Sequence, residues 1–293
     1  NRDDKEGSFY YESKFLEDDS NLEKEIIKII GSLEKDTNEY IDHIDLMVDS
    51  PKMFSVGISL FKKLDGSKLK KKNIQFLVQE AKQEILKNYT SHNIIHILIN
   101  NYRIDGNDYF SLPDEVECHF ISLDIIFLCL PTDLILYFKD IFSKLNILVD
   151  RIICTSYAKS IHYKSNLDLS GPVSFIDVGF NRTSVTSYFN DKILSLDILP
   201  VGGNHITKDI SQILEIDLEK SEQTKLNFVK NFKLLNDKDV SIKTLEKIIF
   251  ARTEEILEMC FQFIKLNLAT TDQYKMILMG EGSKILDNQF KEK

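Results

Sequence analysis

The sequence has few cysteines, and none of them are spaced as in disulfide-rich proteins or zinc sites. Its 293 residues include four cysteines, and no two of them form a Cys-x-x-Cys pair. Each lies in or beside an apolar run, where a free thiol packs like a small hydrophobic side chain. We therefore expect buried free thiols in a reducing compartment, with neither disulfides nor a zinc site. The four residues are Cys118, Cys129, Cys154 and Cys260.

The chain also has no excess of positive charge. It carries 37 Lys and Arg residues against 46 Asp and Glu residues, which gives a formal net charge of −9. Broad binding to nucleic acid needs a basic face that displaces counterions, so this balance argues against a nucleic-acid partner. The polar and basic run Leu64–Lys72 is short, and we interpret it as a solvated loop.

Long uninterrupted apolar runs are absent as well. The most apolar region, Ile125–Phe138, is broken by Pro131-Thr132-Asp133 and is too short to cross a bilayer. We find no signal peptide. The sequence begins with Asn1 and ends in Lys-Glu-Lys soon after a glycine-containing loop, so we expect it to be a fragment of a longer protein.

The apolar content, 43% of the residues, is enough for one large domain or two lobes. Apolar spacing predicts helices and strands in turn over the first 167 residues. The predicted helices are Leu22–Leu33, Ile74–Leu86, Pro131–Leu145 and one capped by Thr155 or Ser156. The predicted strands are Ser8–Leu16, Ile44–Val48, Phe54–Phe61, Ile94–Ile104, Val116–Leu130 and Ile147–Cys154. We interpret His96 as a packed strand residue. The spacing of His92, His96 and His119 does not support a metal cluster.

The most informative stretch of the sequence is Val173–Ser211. Its first predicted strand ends in Asp177-Val178-Gly179, and a polar turn follows at Phe180–Thr183. Two more predicted strands are separated by Asn190-Asp191, a pair that favours a hairpin turn. The third strand leads through Gly202-Gly203 into the start of a helix.

Such an arrangement of glycines and one carboxylate is typical of phosphate handling. A strand that ends in Asp-x-Gly places Asp177 at an edge of the sheet, and Gly179 lets backbone N–H groups approach an anion. The Gly-Gly loop offers further N–H donors at a helix N-terminus, for which we expect Thr207 to be the N-cap. The pattern alone leaves an alternative open, a surface meander in which Asp177 and Gly179 only form a turn.

Helices dominate the prediction beyond residue 211. A helix over Glu219–Phe228 puts Glu222 and Lys225 on one face, an arrangement that by itself favours a solvent-exposed ion pair. A long helix over Thr244–Asn267 has a wide apolar face. A short strand, Lys275–Met279, follows. The turn after it contains Gly280, Glu281, Gly282 and Ser283.

Taken together, these motifs resemble those of the actin/Hsp70-like ATPase superfamily. They occur in the order Asp177-Val178-Gly179, Thr183, a hairpin, Gly202-Gly203-Asn204-His205-Ile206-Thr207-Lys208-Asp209-Ile210 and Glu222-Gln223-Thr224-Lys225. Within the superfamily they are most similar to FtsA, the family of bacterial cell-division proteins that tether FtsZ filaments to the membrane. The resemblance covers roughly residues 20–288 and is strongest over 173–225.

The resemblance implies an α/β, actin-like (ribonuclease H-like) fold of two lobes with a small inserted α+β subdomain of the SHS2 type. The first lobe would comprise residues 1–44 and 131–167, and the inserted subdomain residues 45–130. The second lobe would comprise residues 168–207 and 256–293, with residues 208–255 as its outer part.

A nucleotide site is implied in the same way, with ATP and Mg²⁺ as cofactors and with a weak ATPase activity at most. Asp177 would hold Mg²⁺ through water, and Glu222 and Lys225 would hold the ribose. The loops near residues 179 and 202 would cradle the phosphates, and the loop at 280–283 would hold the adenine. The full set is Asp177, Gly179, Asn181, Thr183, Gly202, Gly203, Glu222, Lys225, Gly280, Gly282 and Ser283. No residue is predicted to be a catalytic base.

The implied partners are the C-terminal tail of FtsZ, other copies of the protein in a filament, and the cytoplasmic membrane. The groove for the FtsZ tail would lie at about residues 208–255. Membrane attachment would use a C-terminal helix that we expect to be missing from this chain. The implied location is the cytoplasmic face of the bacterial inner membrane at the division septum.

Two alternative functions stay open. The PilM adaptor of type IV pilus assembly shares the Gly-Gly-x-x-Thr and Glu-x-x-Lys patterns. An ATP-dependent kinase or chaperone of the actin fold is the other alternative. A kinase would need a catalytic Asp near a sugar site, and no stretch of the sequence supplies a recognisable one.

The chain departs from the family pattern in three places. The first phosphate hairpin of the family precedes the point at which this sequence begins. Phe180-Asn181 replace a Gly-Gly pair, and we expect Asn181 to keep the turn because Asn tolerates a left-handed backbone. Glu281 replaces the second glycine of the adenosine loop, where its charge faces either a phosphate or the solvent.

Overall fold

The fold consists of eight α-helices and ten strands within the residues that the structure, a computed structural model, describes. Those residues are 19–109, 111–113, 116–167, 169, 171–189, 192–230, 242–268 and 273–287. The helices are α1 Asp19–Thr37, α2 Lys71–Asn88, α3 Thr132–Lys144, α4 Thr155–Asn166, α5 Gly203–Leu214, α6 Leu218–Lys230, α7 Ile242–Leu268 and α8 Lys284–Asp287. The strands are β1 His43–Val48, β2 Phe54–Lys68, β3 His92–Ile104, β4 Asn107–Tyr109, β5 Glu117–Pro131, β6 Leu148–Cys154, β7 Val173–Val178, β8 Thr183–Phe189, β9 Lys192–Leu199 and β10 Lys275–Met279.

The first of two compact units takes in the described residues up to Leu46 together with Asp133–Ile152. Strands β1 and β6 pair in a two-stranded sheet. Its apolar core forms around Phe142, Ile147 and Val149, on which isoleucines of α1 and β1 pack. The predicted strand Ser8–Leu16 lies outside the described residues.

The second unit comprises Met47–Thr132 and the described residues from Ile153 onward. Its first part is an antiparallel sheet in the order β2-β5-β3-β4, and α2 covers one face. Helix α2 buries a stripe at helical spacing, and the residues that β5 contributes to the same core lie two positions apart, so two periodic patterns meet in one core. The residues are Ile74, Leu77, Ala81 and Ile85 on α2 and Ile121, Leu123, Ile125 and Phe127 on β5.

The prediction of a solvated loop over Leu64–Lys72 is wrong. Strand β2 continues to Lys68, which pairs with Glu117 of β5, and α2 begins at Lys71. The register shifts between Lys63 and Ser67, where the chain passes through a left-handed Asp65-Gly66. Pairing with β5 therefore extends a strand through residues whose polarity predicts a loop.

The second part of this unit is a four-stranded sheet in the order β10-β7-β8-β9. Strand β7 runs parallel to β10 and antiparallel to β8, and every residue of β7 is buried. The predicted alternative of a surface meander is therefore wrong. Helix α7 packs on this sheet through Ile256, Cys260 and Ile264. The predicted hairpin turn at Asn190-Asp191 lies outside the described residues.

The two helix caps predicted near the central stretch are wrong. Gly202, not Thr207, is the N-cap of α5, and Thr207 lies buried inside the first turns of the helix. Cys154 occupies the N-cap position of α4, directly before Thr155, and its side chain makes no capping hydrogen bond. All four cysteines are free and buried, as predicted. No helix in the described part of the chain is both long and apolar enough to cross a bilayer.

The interpretation of His96 as a packed strand residue is confirmed. Its Nε2 atom accepts a hydrogen bond of 2.9 Å from the backbone N–H of Cys154, and its ring lies 5.2 Å from that of Tyr157. Burial lowers the pKa of His96 below the ordinary value of 6.5. Protonation would also remove the acceptor that holds the end of β6.

We expect His96 to make stability depend on pH. Since its pKa is lower in the folded chain, the unfolded chain binds more protons below a pH of about 6.5, and the free energy of unfolding falls as the pH falls. Urea titrations at pH 7 and pH 5 measure the free energy of unfolding. Its decrease from pH 7 to pH 5 should be smaller in H96Q than in the wild type. The exposed His119 provides the matched control, H119Q, which should follow the wild type. Equal losses in H96Q and the wild type would contradict this role.

Candidate functional site

Two loops meet at one end of the sheet in the second unit. The first, Gly179–Arg182, follows β7, and the second, Pro200–Gly202, precedes α5. The Gly203 N–H donates to the Gly179 carbonyl oxygen at 3.0 Å, and the Asn204 N–H donates to the Phe180 carbonyl oxygen at 2.7 Å. A side chain on Gly202 would place its Cβ 2.5 Å from the Gly179 oxygen and 2.8 Å from the Arg182 nitrogen. Only glycine permits this approach.

The predicted phosphate-binding residues are brought together by this contact, but many of their donors already have partners. The Gly179 N–H donates to the Arg182 carbonyl oxygen at 2.9 Å. The Gly202 N–H donates to Nδ1 of His205 at 3.2 Å. The N–H groups of Gly179, Gly202 and Gly203, three of the predicted phosphate donors, therefore all donate to acceptors within the chain. Their use by a nucleotide stays a prediction.

Side chains fasten the same two loops. The Asn204 amide donates to Oδ1 of Asn181 at 2.8 Å, and the hydroxyl of Thr183 donates to the carbonyl oxygen of Val201 at 2.8 Å. The expectation that Asn181 keeps the turn through a left-handed backbone is wrong, because its φ is not positive. Its side chain, rather than its backbone conformation, supports the loop.

Glu222 and Lys225 form a largely buried ion pair, so the prediction from spacing alone of an exposed pair is wrong. The Lys225 side chain lies between α5 and α6 and only 4% of the residue is exposed. Its Nζ donates to Oε2 of Glu222 at 2.6 Å, to the Thr207 hydroxyl at 2.7 Å and to the Gly203 carbonyl oxygen at 2.9 Å. An ammonium group has three N–H donors, and here all three are used. Burial lowers the pKa of Lys225, and Glu222 opposes that shift.

The third predicted loop, Gly280–Ser283, lies against the end of β7. Gly280 has a left-handed φ of 83°, and a Cβ there would stand 2.4 Å from Oδ1 of Asp177. A Cβ on Gly282 would stand 2.6 Å from Cγ1 of Val178. The Ser283 hydroxyl donates to the Gly280 carbonyl oxygen at 2.7 Å. Glu281 is turned to the solvent, where its side chain is 83% exposed and pairs with Lys284.

Asp177 lies at the centre of the three loops and is only 1% exposed. Its Oδ2 atom is 3.1 Å from Nη2 of Arg182 and 3.3 Å from Nζ of Lys159. Its Oδ1 atom is buried and has no hydrogen-bond partner among the described residues. Burial raises the pKa of Asp177, and Lys159 opposes that shift. No group of three or more His, Cys, Asp and Glu side chains in the described residues could hold a metal ion.

Arg182 and Lys159 are the functional candidates that the sequence pattern missed. Arg182 is 3% exposed and forms a bidentate pair with Asp49. The sequence shows Arg182 only as one residue of a polar turn, and Asp49 is 133 positions away. Lys159 lies on α4, a helix for which the sequence pattern predicts no site residue. Only the folded chain reveals that both cations point at Asp177.

Comparison with known proteins finds sequence similarity to cell division protein FtsA. Residues 174–257 match the family model described as "Cell division protein FtsA". FtsA of Agrobacterium fabrum is 20% identical over 243 residues, which cover 76% of this chain and 54% of that protein. FtsA of Buchnera aphidicola subsp. Schizaphis graminum is 23% identical over 164 residues, which cover 56% of this chain and 39% of that protein. The chain thus spans between about a third and a half of the length of these relatives.

A solved structure described as the "PilM-PilN type IV pilus biogenesis complex" has a similar fold. It matches with a TM-score of 0.64 and 12% identity over 91% of this chain and 69% of that chain. The chain therefore has an actin-like α/β fold. Within that class, parts of the chain are similar in sequence to FtsA proteins, in agreement with the resemblance drawn from the motifs.

The variant G202A tests the close contact between the two loops. The added methyl group meets backbone atoms of Gly179, Phe180 and Arg182 that cannot move independently, so we expect a loss of about 1–3 kcal/mol in the free energy of unfolding. The control is G57A in strand β2, where a Cβ meets nothing within 4 Å. Urea denaturation should separate the two variants, and equal stability would contradict the close approach at Gly202.

Proposed function

We propose that the chain is part of an FtsA-type adaptor that links FtsZ filaments to the cytoplasmic membrane at the division septum. The observation that carries this proposal is the family match over residues 174–257, which include the two joined loops, α5, α6 and the first part of α7. In this proposal the whole protein also forms filaments of its own. We propose that the whole protein reaches the membrane through an amphipathic helix.

The proposal includes a nucleotide site for ATP or ADP at the three loops. Lys225 has no N–H left for a ligand, so we assign it a positioning role. Both Lys225 and the Thr207 hydroxyl bind Oε2 of Glu222, which fixes the carboxylate at the start of α5. Oε1 of the same carboxylate then accepts hydrogen bonds from the ribose hydroxyls. Gly280 and Gly282, which leave no room for side chains, form the wall for the adenine.

We expect E222Q to weaken ADP binding about tenfold, since a hydrogen bond to a charged acceptor contributes roughly 1.5–3 kcal/mol. Gln keeps an oxygen for Lys225 and Thr207, so the helices stay joined. The control is E219Q, which removes the same charge from an exposed position of α6. Isothermal titration calorimetry on the three proteins gives the comparison. If E222Q and E219Q bind ADP with equal affinity, Glu222 does not contact the nucleotide.

For the FtsZ tail we propose the outer surface of residues 208–255. Helix α5 presents Ile213 there, 56% exposed, which is the most exposed large hydrophobic side chain described within that range. Hydrophobic side chains that bind a peptide are exposed in the free protein and become covered in the complex. On the inner side of α5, Asp209 is held by Arg252 of α7 at 2.6 Å, which keeps the two helices together.

I213E should weaken binding of a peptide with the C-terminal sequence of the cognate FtsZ by tenfold or more, because the new carboxylate would be buried under the peptide. The control is L266E on α7, outside residues 208–255, where Leu266 is 77% exposed. Fluorescence anisotropy with a labelled peptide measures both. If L266E weakens binding as much as I213E, the proposed surface is wrong. If the wild type does not bind the peptide, the FtsZ partner is wrong.

A second candidate function is that of a PilM-type adaptor for type IV pilus assembly. It is favoured by the fold similarity to the PilM-PilN complex, which extends over 91% of this chain. The same anisotropy assay distinguishes the two, with a labelled peptide from a PilN-type protein in place of the FtsZ peptide. Binding of that peptide alone would favour the pilus adaptor.

A further inference from the structure

We propose that the guanidinium group of Arg182 takes the place of a divalent cation at Asp177, so that this site binds its nucleotide without Mg²⁺. The inference deepens the nucleotide site proposed above. Its statement about nucleotide rests on that proposal, whereas its statement about the metal can be tested on the protein alone.

The first argument is that Arg182 fully occupies the position beside Asp177. Its Nε and Nη2 donate to the two carboxylate oxygens of Asp49. Nη2 also donates to Oδ2 of Asp177 at 3.1 Å. Nη1 donates to the Asp177 carbonyl oxygen and to the Ser184 hydroxyl, both at 3.0 Å. These five bonds use all five N–H donors of a guanidinium group, so the side chain has one fixed position.

The second argument is the balance of charge. Asp49 and Asp177 contribute two negative charges, and Arg182 and Lys159 contribute two positive charges within 3.3 Å of those carboxylates. Burial lowers the pKa of Arg182 to about 10, which leaves the group charged at neutral pH. A divalent ion at Asp177 would add two positive charges beside two existing cations, and this repulsion is strong in a buried site.

The third argument is space. Among the described residues, Oδ1 of Asp177 has no hydrogen-bond partner. It is buried and faces Gly280, where even a methyl group would stand only 2.4 Å away. Mg²⁺ demands octahedral geometry and keeps several of its water molecules when it binds to proteins. A hydrated ion of that size does not fit between Asp177 and the Gly280–Ser283 loop.

The test measures metal and nucleotide separately on the full chain. Electron paramagnetic resonance with Mn²⁺ as the probe should show no saturable binding to the protein alone. Calorimetry should give the same ADP dissociation constant in Mg²⁺ and in EDTA. Saturable Mn²⁺ binding that D177N abolishes, or ADP binding that is lost in EDTA, would overturn the inference. If ADP does not bind under either condition, the proposed nucleotide site fails, and the Mn²⁺ result alone decides the metal.

R182T removes the internal cation and leaves Asp49 and Asp177 facing each other. We expect this variant to gain Mn²⁺ binding and to rise in melting temperature when Mn²⁺ is added. The control is R151T, which removes an exposed arginine paired with Asp45 and should stay insensitive to Mn²⁺. If R182T folds but does not bind Mn²⁺, the proposal that Arg182 takes the place of a divalent cation is wrong. If R182T does not fold, the two wild-type measurements still decide the question.

Discussion

The backbone contact between the loop after β7 and the loop before α5 is the constraint on which the rest of the site depends. It brings the carbonyl oxygens of Gly179 and Phe180 to the N-terminus of α5, where Gly202 has no room for a side chain. Because α5 starts there, Lys225 of α6 can donate to the Gly203 carbonyl oxygen and hold Glu222 in place. The position of the Glu222 carboxylate, which we propose binds the ribose, thus follows from the position of two glycines.

Much of the fold follows from local patterns in the sequence. The spacing of apolar residues in α2 and in β10 is a property of each segment alone, and the predicted elements there agree with the structure. Local patterns do not predict the end of strand β2, since its last residues are polar and become a strand only by pairing with β5. Thr207 is a similar case. Its preference for a helix N-cap is outweighed by Gly202, which alone permits the loop contact.

The loops of the candidate site could be predicted from the sequence, but the burial and pairing of its charged side chains could not. The glycine motifs mark Gly179, Gly202 and Gly280 because such close approaches demand glycine. The burial of Lys225, by contrast, depends on how α5 and α6 pack, and an i, i+3 ion pair looks the same on an exposed helix. The pairing of Arg182 with Asp49 joins residues 133 positions apart, a distance over which spacing in the sequence carries no signal.

The buried charges at Asp177 indicate positioning rather than stability. A buried ion pair often gains no more than a well-packed apolar pair, because removing each charge from water costs several kcal/mol. What the pair does provide is one geometry, since Arg182 has five directed bonds and Asp177 is held from two sides. With an internal cation, the site needs no metal to bring Asp49 and Asp177 together. In the proposed adaptor a nucleotide would then stabilise the fold by binding, as any ligand of the native state does, without a change of metal.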